Sequence, residues 1–100
     1  MEMSESQINK LIKKLTDEDY DVRKNVEDVL IDLDSKSIPT LINALDNGDP
    51  GIQIQSARIL GKIGNKKAIN PLIDSLNNGN PDFRREVSLA IKKIVDKNPE

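Results

Sequence analysis

Apolar residues recur along this chain at two alternating spacings. Ile8, Leu11, Ile12 and Leu15 stand at i, i+3, i+4 and i+7, and Val22, Val26, Val29, Leu30 and Leu33 stand at i, i+4, i+7, i+8 and i+11. Each set draws one stripe down an α-helix, so the two together predict a helical hairpin. The pair then recurs. Ile38, Leu41, Ile42 and Leu45 repeat the first stripe, and Ile52, Ser56, Ile59, Leu60 and Ile63 repeat the second, at an offset of 38 − 8 = 30. Ile69, Leu72, Ile73 and Leu76 open a third unit at 69 − 38 = 31. The additional residue is Ala68, in "GNKKA" where the preceding link reads "DSKS", and loops accommodate such changes.

Turn and cap residues divide these units into helices over 5–16, 20–34, 38–47, 50–63, 68–78 and 81–97. Ser4 with Gln7 has the form of a capping box, and Ser37 or Ser35 opens the third helix. Asp19, Asp49 and Asn80 are expected N-caps, the latter two followed by Pro50 and Pro81 at the first helical position. Pro39 and Pro71 belong in first turns, where a missing amide hydrogen costs no bond. Gly48 and Gly79 suit a left-handed residue after a helix, Gly64 ends a helix, and Gly61 allows close packing.

A stripe on both helices of a hairpin is more than one hairpin can cover, so the units must stack, and about three are needed. The fold expected is all-α: three stacked helical hairpins, six helices, in one domain over 1–100, with repeats over 5–34, 35–64 and 65–97. Leu45 and Leu76 are expected to plug the core between hairpins, and Lys66 to be exposed.

The stretch "SARILGKIGNKKAINPLIDSLNNGNPDFRREV", residues 56–87, resembles the HEAT-like repeat of the phycobilisome-lyase type. The resemblance covers all three units. It weakens in the first, where Glu18 and Asp34 replace glycines. It implies a right-handed α-solenoid (an α–α superhelix) whose second helices line the concave side, and a role in holding other proteins. Some relatives act on bilin attachment and some helical-repeat proteins bind DNA, so an accessory role beside a lyase and weak nucleic-acid binding stand as alternatives.

Composition narrows the chemistry. The chain has no Cys and no His, which removes the thiolate nucleophile and the commonest metal ligand and acid/base group. No cofactor and no catalytic residue is expected, and the chain is read as a non-enzyme. "DEDYDVRKNVED", residues 17–28, places acids at calcium-loop spacing, but Val22 stands at the turn glycine and Asp28 at the bidentate Glu. Its acids fit better as the cap Asp19 and the first-turn Asp21. No metal site is assigned. The lack of an apolar run or a signal core implies no membrane contact and a cytoplasmic location.

Net charge is −2, from 15 Lys+Arg and 17 Asp+Glu, which offers no general attraction to nucleic acid. At about 100° per residue, the positions opposite the second-helix stripe form three columns. They read Lys24, Ile54, Arg85; then Asp28, Arg58, Leu89; then Ile31, Gly61, Lys92. Four cations and one acid share this face with Ile31, Ile54 and Leu89. Lys24, Ile31, Ile54, Arg58, Arg85, Leu89 and Lys92 are therefore the candidate contacts for an acidic or amphipathic segment of a protein partner. Residues 17–34 carry eight acids and two bases whereas residues 84–97 carry five bases and two acids, an asymmetry that allows weak head-to-tail self-association.

Overall fold

A computed structural model describes residues 1–100 and contains six α-helices and no strand. They are α1 (Glu5–Ile12), α2 (Tyr20–Leu33), α3 (Ile38–Asn47), α4 (Pro50–Ile63), α5 (Ile69–Ser75) and α6 (Pro81–Lys97), paired as three successive hairpins. Short 3-10 turns, Asp34–Lys36 and Lys66–Ala68, link one hairpin to the next. The capping box forms in full: the Gln7 amide donates to Ser4 Oγ at 3.1 Å, and the Ser4 amide donates to Gln7 Oε1 at 2.8 Å. Asp19, Asp49 and Asn80 each accept amide bonds from the first turn of the helix they precede. One cluster of 20 buried apolar residues runs through all three hairpins.

Several local expectations are corrected. The apolar stripe of α1 extends to Leu15, but the helix closes at Ile12 and the chain continues as turns. In the same way α5 stops at Ser75. Gly48 is extended, with φ −78° and ψ 162°, rather than left-handed, because the next N-cap follows at once. What glycine provides there is space, since a Cβ would stand 2.7 Å from the Ala44 carbonyl oxygen. Gly79 is not left-handed either; Gly64 is the one glycine with positive φ, at 74°. Ser37 makes no side-chain cap bond, and its buried hydroxyl donates instead toward the Leu30 and Asp34 carbonyls, tying α2 to α3.

The second helices approach one another most closely between units two and three. A Cβ at Gly61 would lie 2.8 Å from Ala90 Cα, so only glycine permits this contact of α4 with α6. The equivalent residue of unit one is Ile31, half-buried against the core, and α2 packs less extensively on α4.

At four positions burial follows a unit's place in the stack and not its own pattern. Leu15 and Leu45 are buried, but their counterpart Leu76 is 39% exposed and Ile73 beside it is 48% exposed. At the other end Val22 is 37% and Val29 39% exposed, whereas their counterparts Ile52 and Phe83, and Ile59 and Ala90, are buried. The first pair faces where a fourth hairpin would stand, and the second where a preceding one would. Leu76 therefore does not plug a core, because no hairpin covers it, and Val22 and Val29 leave the expected core set for the same reason.

Three stability outcomes are expected. Leu45→Ala should cost about 2 to 5 kcal/mol in chemical denaturation, and Leu76→Ala about 1 kcal/mol or less. Asp34 adopts φ 48° and ψ −118°, a region that favours glycine. Asp34→Gly should raise stability by about 1 kcal/mol, measured in the same titration.

Candidate functional site

The second helices place the predicted columns side by side, but they do not treat all members alike. Lys24, Arg85, Leu89 and Lys92 are exposed, and Arg58 is partly so. Ile31 and Ile54 are half-buried and pack against the core, so each presents only an edge of its side chain to solvent. In the column of Ile31, Gly61 and Lys92, Gly61 faces the neighbouring unit through its contact with Ala90 and Ile31 packs against the core, whereas Lys92, in the last unit, is exposed. Lys24 and Arg58 meet at one place, while Arg85, Leu89 and Lys92 lie on unit three.

That meeting place is a cavity of about 320 Å3 between the first and second units. Unit one supplies Tyr20, Arg23, Lys24 and Glu27, and unit two supplies Gln55, Arg58 and Lys62. Glu27 organises it. Its side chain is 6% exposed and accepts from Lys62 Nζ at 2.6 Å and from Arg58 Nη2 at 3.0 Å. Arg58 Nε also donates to Gln55 Oε1 at 2.9 Å, so the guanidinium is held through two of its nitrogens. Arg23 donates to the Asp17 carbonyl at 2.6 Å and lies 5.7 Å from the Tyr20 ring centroid. Four cations thus surround one buried carboxylate, and the cavity keeps a net positive charge.

Burial pushes the Glu27 carboxyl up, but the hydrogen bonds and charges of Lys62 and Arg58 outweigh it and hold the group below the ordinary glutamate range. The remaining predicted cations pair within their own helices. Lys24 meets Asp28 at 2.9 Å, Arg85 meets Asp82 at 2.9 Å and Lys92 meets Asp96 at 2.7 Å. All three pairs are solvent-exposed and screened, so they hold these cations only loosely.

Glu27, Lys62 and Arg23 stand outside the columns predicted from the sequence. A signal for the first was present: Glu27 is the one acid in a column whose other members are Ala57 and Ser88, immediately after the core residue Val26. Lys62 follows Arg58 by one helical turn on the next unit, in reach of that acid.

Removing both partners should strand a buried charge. Arg58→Ala with Lys62→Ala is expected to cost about 3 to 5 kcal/mol, against about 1 kcal/mol for Glu27→Gln, whose partners can turn to water. Because the folded Glu27 binds its proton less readily than the unfolded one, its contribution is complete above about pH 4.3 and is lost as pH falls further. Denaturation midpoints measured between neutral and acid pH should show this loss in the native chain, with a smaller loss in Glu27→Gln.

No helix is long and apolar enough to cross a membrane. A search of curated proteins finds no match to the chain. A family profile described as HEAT repeats matches residues 8–92, the span that holds the three stripes, the Gly61 contact and the Glu27 cluster. The chain belongs to the HEAT-repeat family.

Proposed function

We propose that the chain is a non-enzymatic binding module that holds an acidic, partly apolar segment of another protein along its second helices. The observation that carries this reading is the cavity between α2 and α4. Glu27 neutralises part of its charge and at the same time fixes Arg58 and Lys62 in place, so their remaining donors face the cavity without further ordering. Lys24 and Arg23 add charge on the opposite wall, and Tyr20 and Leu15 give it an apolar floor and edge. Farther along, Leu89 lies between Arg85 and Lys92 in sequence and is exposed, a second place for an apolar side chain among cations. HEAT repeats generally mediate protein–protein interaction, which is consistent with a protein occupant.

The absence of His and Cys from the chain leaves this face without the usual nucleophiles and proton carriers. The second helices also offer little to stack on bases: the chain has one Tyr and one Phe, and Phe83 is buried. A peptide occupant therefore fits the face better than a nucleic acid.

Binding of a labelled helical peptide with Glu and Leu on adjoining faces should be measurable by fluorescence anisotropy at low salt, and should weaken as salt rises. Lys24→Glu with Arg58→Gln, which leaves Lys62 on Glu27, is expected to weaken it at least tenfold. Equal affinity in the variant and the native chain removes this face from consideration, and tighter binding of a DNA duplex than of the peptide reverses the choice of partner.

A further inference from the structure

The two ends of the stack are the two halves of an interface that the molecule already makes internally. Between units one and two, the lower half consists of Leu15, Tyr20, Arg23, Lys24 and Glu27, and the upper half of Gln55, Arg58 and Lys62. Adding the offset of 61 between units one and three to the lower half gives Leu76, Pro81, Arg84, Arg85 and Ser88. These five residues line a shallow groove on the outer side of unit three. The local build is also repeated: Arg84 donates to the Asn78 carbonyl as Arg23 does to the Asp17 carbonyl, six residues back in both cases. Unit three thus carries a lower half with no upper half upon it.

Subtracting the unit offset of 30 from Gln55, Arg58 and Lys62 gives the matching upper half, Asn25, Asp28 and Asp32 of unit one. All three are exposed, on the side from which Val22 and Val29 also face solvent. The charges are the reverse of the internal ones. Inside the molecule an acid below meets two cations above; at the free ends two arginines below would meet two acids above. Ser88 stands where Glu27 does, so no buried carboxylate is left to repel Asp28 and Asp32.

We propose that a second copy of this chain stacks head to tail, its α1/α2 hairpin seated on the α5/α6 hairpin of the first in the register of the internal units. The occupant is singled out by three features of the same patch. The exposed apolar positions, Leu76 and Ile73 at one end and Val22 and Val29 at the other, are those that are largely covered inside the stack. The ionic positions carry opposite charge at the two ends. The small Ser88 replaces the buried acid. Lys92, in the position of Gly61, lays its methylene stem over Val29 of the second copy. Each copy keeps one free end of each kind, so the assembly is heterologous and grows by addition instead of closing as a twofold dimer.

Sedimentation equilibrium of the full chain tests this through a charge exchange. The native chain at low salt should show an average mass above that of the monomer, rising with concentration and falling as salt is added. Arg84→Glu with Arg85→Glu, and separately Asp28→Lys with Asp32→Lys, should each remain monomeric while keeping the native circular dichroism spectrum. Mixed in equal amounts, the two variants should associate again, because every junction in the mixture can then join opposite charges. Leu76→Asp should prevent association in all these combinations where it occupies the junction. A native chain that stays monomeric at low salt overturns the proposal. So does association that survives both charge reversals, or that is lost with the arginine variant but not with the aspartate variant, since the last outcome describes a tail-to-tail dimer.

Discussion

A hairpin of this sequence has more apolar surface than its own two helices can cover, and contact with the next hairpin is what removes the remainder from water. Leu45 and Ile59 in the middle unit illustrate the constraint: both are almost wholly buried, whereas their equivalents Leu76 and Val29, in end units with no neighbour on that side, are 39% exposed. Burying one such side chain contributes about 1.5 to 3 kcal/mol, far more than any surface ion pair in the molecule. The caps set where each helix begins, but stacking decides whether the helices persist, since helices of 7 to 17 residues have little stability alone.

Stacking also sets where charge can be used. Glu27 occupies a position that becomes buried once the second unit is in place, as Ala57 is buried by the third. A carboxylate can remain charged there only with close partners, and Arg58 and Lys62 arrive from the next unit to supply them. The same event that hides the acid thus gathers the cations around a cavity. Structure and candidate site share one cause: the apposition of two repeats whose equivalent positions carry unlike side chains.

Packing between the repeats is not uniform along the stack. Gly61 lets α4 and α6 come together closely, whereas α2 packs less extensively on α4. The cavity lies at this less extensively packed junction, where polar side chains of both units meet.

Helix type, the number of units, the register between them and four of the N-caps were all legible in the chain, because each depends on spacing within a few residues or on an exact recurrence. The opposite face of the second helices was legible as a set of columns, although Ile31 and Ile54 prove to be half inside. What the pattern could not distinguish was Leu45 from Leu76, or Ile59 from Val29: the members of each pair occupy equivalent positions in their own helices, and only the presence or absence of a neighbouring unit separates buried from exposed. Nor could it reveal the partnership of Glu27 with Arg58 and Lys62, 31 and 35 residues away, since an ion pair between units depends on interaxial distance and side-chain reach. The sequence by itself determined the repeating unit and its periodicity. The tertiary structure alone decided which copies of each position lose contact with water, because burial is a property of the stack and not of the hairpin.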